Sequence, residues 1–267
     1  MLTKELRNKI LEKYTNKEDK IFVASIIDLA LKFETSNHTT YTSFLNLYEK
    51  EIAINVLNSL KVEYTVFLPV ADCERCIIFF IPEYEEYNKN IYNEYITCLK
   101  ISPNSRASLK HKDYMGAILN SGTAEKMIGD IYVVNNVGYV FMLKSLENYF
   151  LNNLLYVSRN EVKTSLLDLN SDEVLSLHYT HAELTITIPS TRIDVILAGI
   201  YNLSRSEVKT KIENGDLIIN SKEMYFQAYN VKENDIISFR KCGKTKIGNV
   251  LRTTKSGNLV LQIFKYT

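Results

Sequence analysis

Cationic and hydroxyl side chains recur at short intervals in the stretch TRIDVILAGIYNLSRSEVKTKIENGDLIIN, residues 191–220. Ser204 stands directly before Arg205, and Lys209 follows Arg205 four residues later. Residues four apart lie on the same side of an α-helix, so both cations can point at one external object. Hydroxyl, guanidinium and ammonium groups are the side-chain groups that bind phosphate oxygens.

The distribution of charge along the chain indicates the same class of partner. The formal net charge of the 267 residues is only +1. Residues 189–267 nevertheless hold 13 Lys and Arg against 7 Asp and Glu, whereas residues 1–188 hold 19 against 24. A cationic end on a weakly acidic chain indicates a polyanionic partner, although a run of charge can also be an ordinary solvated face.

Two short helices must position these cations. The pairs Thr191/Asp194 and Ser204/Glu207 have the spacing of capping boxes and predict two helix starts. Gly215 predicts the end of the second helix. Apolar residues recur on both helices at i, i+3 or i+4, so the helices should pack on each other. Strands LIINSKE and VKENDIISFRK follow, and the remaining tail indicates a hairpin.

The rest of the chain predicts an α+β protein. Helical periodicity at residues 2–14, 18–34 and 47–60 precedes two β-rich runs, VEYTVFLPV and CIIFFIP, spaced as in a hairpin. The next segment, from NEYITCLKI to YVSRNEVKTSLL, has the order βαββαβ of the RNA-recognition-motif-like sandwich, which ferredoxin-like domains of many functions share. Residues 168–181 are predicted to be a polar linker. The expected domains are residues 1–88, 89–181 and 182–267.

Motifs of common enzymes and metal sites are absent from the sequence, which contains no Gly-rich phosphate loop, no G-x-S-x-G and no H-E-x-x-H. Cys73 and Cys76 lack a second pair of ligands at metal spacing, because Cys98 and Cys242 are isolated. His111 has no nucleophile or carboxylate pair placed with it, so it is expected to cap or pin a helix. We expect no catalytic residue, no metal, no cofactor and four reduced thiols.

The expected compartment is the cytoplasm. No apolar run approaches the ~18 residues of a membrane span. The amino terminus, MLTKELRNKILEKY, is charged throughout and does not fit a secretory signal. No membrane partner is therefore expected.

Three aromatic residues of the middle segment leave two alternatives open. Tyr139 and Phe141 face the same way on the predicted third strand, and Tyr95 on the predicted first strand could join them as a platform for stacked bases. The aromatic consensus of RNA-binding strands is absent. Packing in the core is therefore favoured for at least two of the three.

The carboxyl-terminal pattern resembles the alpha-L RNA-binding motif, the domain named for the fourth protein of the small ribosomal subunit. The residues that carry the resemblance are Arg192, Asp194, Ser204, Arg205, Gly215, Asp216, Asn220, Asn234, Asp235 and Arg240. The usual motif has Leu at position 193 and Gly at positions 221 and 234. Ile193, Ser221 and Asn234 depart from it, which puts the geometry of two turns in question.

This resemblance implies binding to duplex or folded RNA through helix N-termini and flexible cations, with little reading of bases. The basic tail extends the expected surface. The RNA-binding residues expected on this basis are Arg192, Ser204, Arg205, Lys209, Lys211, Lys222, Arg240, Lys241, Lys244 and Lys246.

The middle segment HKDYMGAILNSGTAEKMIGDIYV resembles the signature of the YlmH family of bacterial proteins. The matching residues are His111, Asp113, Gly116, Ala117, Leu119, Gly122, Gly129, Asp130 and Ile131, with Lys112 in place of Arg. Glu74 and Arg75 in ADCERC match a second stretch. The resemblance covers roughly residues 40–267.

The family resemblance implies a non-enzymatic RNA-binding protein of three parts: an N-terminal α/β region, an RNA-recognition-motif-like middle and the alpha-L domain. Its implied partners are ribosomal RNA and the large ribosomal subunit, with tRNA as a further candidate and no small-molecule substrate. The implied role is to hold peptidyl-tRNA during tailing of stalled nascent chains. Two alternatives stay open: an RNA-modifying enzyme that uses its last domain to hold RNA, and a protein-interaction factor linked to cell division.

Overall fold

The computed structural model describes residues 4–85, 90–104 and 108–266. The chain forms two compact units, Met1–His178 and Tyr179–Thr267. Both contain helices and antiparallel sheets, which confirms the α+β class. The predicted boundary between residues 88 and 89 lies outside the described residues. None of the helices in the described ranges has the length and apolar character that crossing a bilayer requires.

The secondary structure of the described ranges alternates between helices and short strands. The helices are α1 (Lys4–Glu12), α2 (Lys17–Ser36), α3 (Leu47–Leu60), α4 (His111–Leu119), α5 (Glu147–Asn153), α6 (Asp172–Leu175), α7 (Ile193–Tyr201) and α8 (Arg205–Glu213). The strands are β1 (Thr40–Tyr41), β2 (Thr65–Phe67), β3 (Ile77–Phe80), β4 (Ile96–Pro103), β5 (Ile128–Val134), β6 (Val137–Leu143), β7 (Tyr156–Val157), β8 (Asn160–Leu167), β9 (His181–Ile188), β10 (Leu217–Ile219), β11 (Lys222–Glu223), β12 (Ile236–Phe239), β13 (Gly243–Thr253) and β14 (Leu259–Tyr266).

The first unit begins with three helices that share one apolar core with a sheet of order β1-β3-β2. A capping box opens α3, because the Glu49 N–H donates to the Asn46 side chain and the Asn46 N–H donates to the Glu49 carboxylate. Strands β2 and β3 pair antiparallel, with Phe67 opposite Ile77, as predicted for the hairpin.

A second sheet in this unit has the order β5-β6-β4-β8-β7, and all its neighbouring strands are antiparallel. Helices α4 and α5 cover one face, where Leu99, Val140 and Phe150 are buried. The predicted last strand is wrong in one respect, since it is a hairpin of β7 and β8. Ser158 takes a φ of 55° in its turn, a left-handed conformation that the strand-like composition does not reveal.

The predicted linker at residues 168–181 is wrong over much of its length. The Leu169 N–H donates to the Asn93 side chain, and α6 lies against the sheet face opposite α4 and α5. There Glu173 accepts hydrogen bonds from Lys100 and Tyr139, each at 2.7 Å. The prediction failed because single buried residues stand between polar ones, as Leu169 and Leu177 do, and give no periodicity. The last residue of that range, His181, begins β9.

Residues that resemble the family signature join the two sheets of this unit. The Arg75 N–H donates to the Asp130 carboxylate at 2.9 Å, and its guanidinium donates to the Ile128 carbonyl and pairs with Glu125. A Cβ at Gly129 would lie 2.5 Å from the Phe44 ring, so only glycine permits this contact. The signature at these positions therefore has a packing role.

The second unit places α7 and α8 on one face of a sheet of order β11-β10-β12-β13-β14-β9. Ile193, Val208 and Ile237 are buried between the helices and the sheet. Strands β13 and β14 form the hairpin predicted for the tail. The two helices pack on one core, as their apolar spacing predicts.

Candidate nucleic-acid interface

The start of α8 is fixed by the predicted capping box. The Glu207 N–H donates to the Ser204 hydroxyl at 3.2 Å, and the Ser204 N–H donates to the Glu207 carboxylate at 2.8 Å. These hydrogen bonds from the Ser204 side chain and backbone lower the pKa of Glu207. Gly215, with a φ of 77°, follows the end of the helix as predicted. Ser204 therefore holds the helix start in place.

We expect Ser204→Ala to weaken this helix start by about 1 kcal/mol, because one backbone N–H loses its acceptor. Amide hydrogen exchange in α8 should become about fivefold faster. Ser206→Ala is the matched control, since the Ser206 hydroxyl contacts Ser204 but is not part of the capping box. Equal exchange in the two variants would contradict the capping role.

Arg205 and Lys209 lie one turn apart at the amino-terminal end of α8, and both are exposed. Val208 and Ile212 on the same helix are fully buried, which fixes the helix orientation. The Lys209 Nζ lies 3.8 Å from a carboxylate oxygen of Glu213. Both side chains are exposed, so this ion pair holds Lys209 only weakly. Arg205 makes no ion pair with any residue that the structure describes. The guanidinium is therefore available to an external anion.

The start of α7 differs from its predicted capping box. Arg192, not Thr191, is the residue that precedes the helix. The Thr191 hydroxyl donates to the Asn230 side chain, and the Arg192 guanidinium donates to both carboxylate oxygens of Asp194 at 3.0 and 3.1 Å. The prediction is wrong because Arg192 pairs with Asn230 of a distant loop, which moves the helix start by one residue.

Lys211 and Arg240 converge on one carboxylate at the end of α8, since each lies 3.6 Å from Asp216. The Lys211 ammonium also lies 5.5 Å above the Phe239 ring. Both cations therefore pair with Asp216, although part of each side chain still reaches solvent. Lys241 follows in an exposed turn with a φ of 64°.

Strand register separates the remaining predicted cations. Lys222 pairs with Ile219, a core residue, so it belongs to the sheet face that carries the helices. Lys246 pairs with Ile236, and its neighbour Thr245 pairs with the core residue Ile237. Lys246, and Lys244 two residues earlier, therefore point to the opposite face, where Lys244 lies 5.2 Å from the Tyr266 ring. The predicted cations do not form one continuous surface.

The Asp235 carboxylate connects the turn after β10 to the loop before β12. Its buried carboxylate accepts hydrogen bonds from the Asn220 side chain at 2.7 Å, the Tyr229 hydroxyl at 3.0 Å and the Lys232 N–H at 2.8 Å. The Asn220 side chain in turn accepts from the Ile236 N–H. The spacing of Asn220 and Asp235 in the sequence motif thus corresponds to a direct contact.

Ser221 and Asn234 stand where the usual motif has glycine. Their φ angles are 67° and 69°, so both remain in the left-handed region that glycine favours. Asparagine is one of the side chains that enter this region most readily. The turns keep a glycine-like backbone without glycine.

Two of the three aromatic residues are interior residues of the second sheet. Phe141 is fully buried and Tyr139 is 7% exposed. The prediction that Tyr95 lies on the first strand is wrong, since β4 begins one residue later; Tyr95 is half-buried, with its ring centroid 4.8 Å from that of Tyr41. The core alternative is confirmed for Tyr139 and Phe141, because α6 and the Asp72 loop cover that sheet face.

Cys73 and Cys76 are poorly suited to attack a substrate. All four cysteines are free, as predicted. Burial raises the pKa of Cys73 far above its usual range and that of Cys76 to about 11. Both are therefore neutral thiols near pH 7, whereas nucleophilic attack needs the thiolate. His111 is the first residue of α4, whose start is closed by Asp113, which accepts from the Lys110 N–H.

Comparisons with known proteins match most of the chain. A family model described as "Putative RNA-binding domain in YlmH" matches residues 89–171. The "Ribosome-associated protein quality control protein P2" of Bacillus subtilis (strain 168) is 21% identical over 245 residues, which are 90% of this chain and 92% of that protein. The solved structure "Cell division protein ylmH from Streptococcus pneumoniae" covers 58% of this chain and 93% of its own, with 18% identity and a TM-score of 0.47.

The family model spans the segment from His111 to Ile131, which carries the signature residues, and the curated relative aligns with both compact units. These two matches support membership of the YlmH family.

Proposed function

We propose that the chain is a non-enzymatic RNA-binding protein of the cytoplasm that binds ribosomal RNA on the large ribosomal subunit. The observation that carries this proposal is the exposed pair Arg205 and Lys209 at the edge of the apolar stripe by which α8 is buried. A fixed pair of cations one turn apart suits adjacent phosphates of a folded RNA. The name of the Bacillus subtilis relative supports the ribosome as the site of action.

The proposed role is in ribosome-associated quality control, where the protein would stabilise peptidyl-tRNA during tailing of the nascent chain. The contacts proposed for ribosomal RNA lie on the helix side of the second unit and in the adjoining turn. They are Arg192, Ser204, Arg205, Lys209, Lys211, Lys222, Arg240 and Lys241. Lys244 and Lys246 lie on the other face and would not contact the same RNA helix.

The proposed architecture has three domains. Residues 89–181 form the RNA-recognition-motif-like domain, supported by the antiparallel order β5-β6-β4-β8 and by α4 and α5 on one face. Residues 182–267 form the alpha-L domain, supported by the two packed helices and by the contact between Asn220 and Asp235. Residues 1–88 form the N-terminal region.

Salt dependence of binding tests the proposal. Neutralising four to six phosphates should give a slope of log affinity against log salt of about −3 to −5. The measurement is a titration of the full chain against isolated large subunits and against a free RNA duplex, at several salt concentrations. Binding to large subunits that is unchanged by salt and survives nuclease treatment would refute the RNA contact.

A further inference from the structure

A groove lies on the helical side of the middle sheet, between α4, α5 and the β7–β8 hairpin. Its volume is about 590 Å³, within the roughly 300–1,000 Å³ of sites that hold small organic groups. Three large residues at its wall are unusually exposed: Tyr149 at 45%, Leu155 at 56% and Tyr156 at 59%. Apolar side chains gathered at this exposure indicate a binding surface.

We infer that this groove binds unpaired nucleotides of RNA, a second contact separate from the cations of α8. Because the assignment of RNA as the ligand class rests on the proposed function, the test below separates the two. In RNA-recognition-motif-like domains, bases stack on aromatic residues of the open sheet face. Here that face is closed.

The closure involves contacts from two directions. Glu173 on α6 accepts hydrogen bonds from Lys100 and Tyr139. On the same face, the Tyr132 hydroxyl donates to the Asp72 carboxylate at 2.9 Å. RNA could reach these rings only after both contacts break. An RNA contact by this domain must therefore use another surface.

The groove offers stacking groups that the sheet face no longer offers. Tyr149 is held by Phe150, a fully buried neighbour, with ring centroids 5.2 Å apart and rings nearly perpendicular. A tyrosine ring that contacts a buried ring and is 45% exposed is preorganised for stacking. Stacking of a base on an aromatic ring tolerates any base, because each base has a π-face.

The polar lining suits nucleotides better than an apolar peptide. Lys112, Asn120 and Asn153 line the groove and are exposed. Lys110 and Arg159 are also exposed, and each lies within two residues of a lining residue. Two carboxylates oppose these three cations: the lining residue Asp113, and the exposed Glu161, which pairs with Tyr156. The excess of one cation attracts phosphates to the edge of the groove while bases enter it.

Gly116 allows the groove to be filled without disturbing the core. It lines the groove, and a Cβ added there would meet no atom within 4 Å. Gly116→Gln should therefore place an amide side chain in the open space. Gly116→Ala, the matched control, adds only a methyl group.

The test measures the affinity of the full chain for a fluorescein-labelled ten-residue oligouridylate, which forms no duplex. We expect Tyr149→Ala with Tyr156→Ala to weaken binding at least ~10-fold, since each stacked base contributes roughly that factor or more. Gly116→Gln should weaken it several-fold, and Gly116→Ala should leave it unchanged. A 4-thiouridine form of the probe should cross-link to peptides that contain Tyr149 or Tyr156. Thermal unfolding of each variant confirms folding, because the replaced side chains are exposed.

Two further measurements separate this inference from the proposed function. Arg205→Glu with Lys209→Glu should leave the probe's cross-links to the groove in place. If the tyrosine variant binds the probe as tightly as wild type, the inference is wrong. Wild type that fails to bind the probe also overturns it. In both cases wild type can still bind large subunits with the expected salt dependence, which would leave the proposed function standing.

Discussion

Arg205→Glu combined with Lys209→Glu is expected to abolish sedimentation of the protein with large ribosomal subunits. Each cation that hydrogen-bonds a phosphate contributes about 1.5–3 kcal/mol, so losing two contacts should weaken binding about 100-fold or more. The two substitutions should also make the salt slope shallower by roughly 2. The fold should remain intact, because both side chains are exposed.

Lys244→Glu combined with Lys246→Glu is the matched control for this experiment. It changes the formal charge of the same unit by the same amount, but on the opposite sheet face. We expect a loss below about tenfold, caused only by weaker long-range attraction. Equal losses in the two variants would mean that total charge, not the α8 face, determines binding.

Asp235→Ala should have the largest effect on stability in the second unit. The substitution leaves the Asn220 amide, the Tyr229 hydroxyl and the Lys232 N–H without their acceptor in a buried site. Unmet buried donors cost about 1–3 kcal/mol each, although some will find water, so we expect a total loss of about 3 kcal/mol. This loss of stability can be measured by amide hydrogen exchange in β10 and β12, where we expect the exchange rates to rise about 100-fold.

Asp216→Ala provides the comparison, because this carboxylate is less buried and serves two ion pairs at 3.6 Å. Its removal should cost less than about 1 kcal/mol. A similar acceleration of exchange in the two variants would contradict a structural role specific to Asp235.

Local sequence signals predicted much of the fold. The Ser204/Glu207 capping box, the stop at Gly215 and the apolar spacing of α8 depend on neighbouring residues, and all three are confirmed. Contacts between distant segments were not predictable in this way. Thr191 does not begin α7, because Arg192 pairs with Asn230, a residue 38 positions away in the chain.

The candidate site was predicted only in part, because some of its residues are oriented by local geometry and others by contacts between distant segments. Arg205 and Lys209 share a helix, so their common orientation follows from helical geometry alone. The orientation of Lys244 and Lys246 depends on strand register, which a shift of one residue reverses. The groove residue Tyr156 was missed because the turn at Ser158 was interpreted as part of a single strand.

The short connection between the two compact units has a consequence for how long the protein stays bound. Only residues 176–180 separate the end of α6 from the start of β9. If the contacts proposed for the two units are made on one ribosome within the span of this tether, each raises the effective concentration for the other to about millimolar. Residence time would then be long although each contact alone dissociates quickly, because release requires both to be open at the same moment.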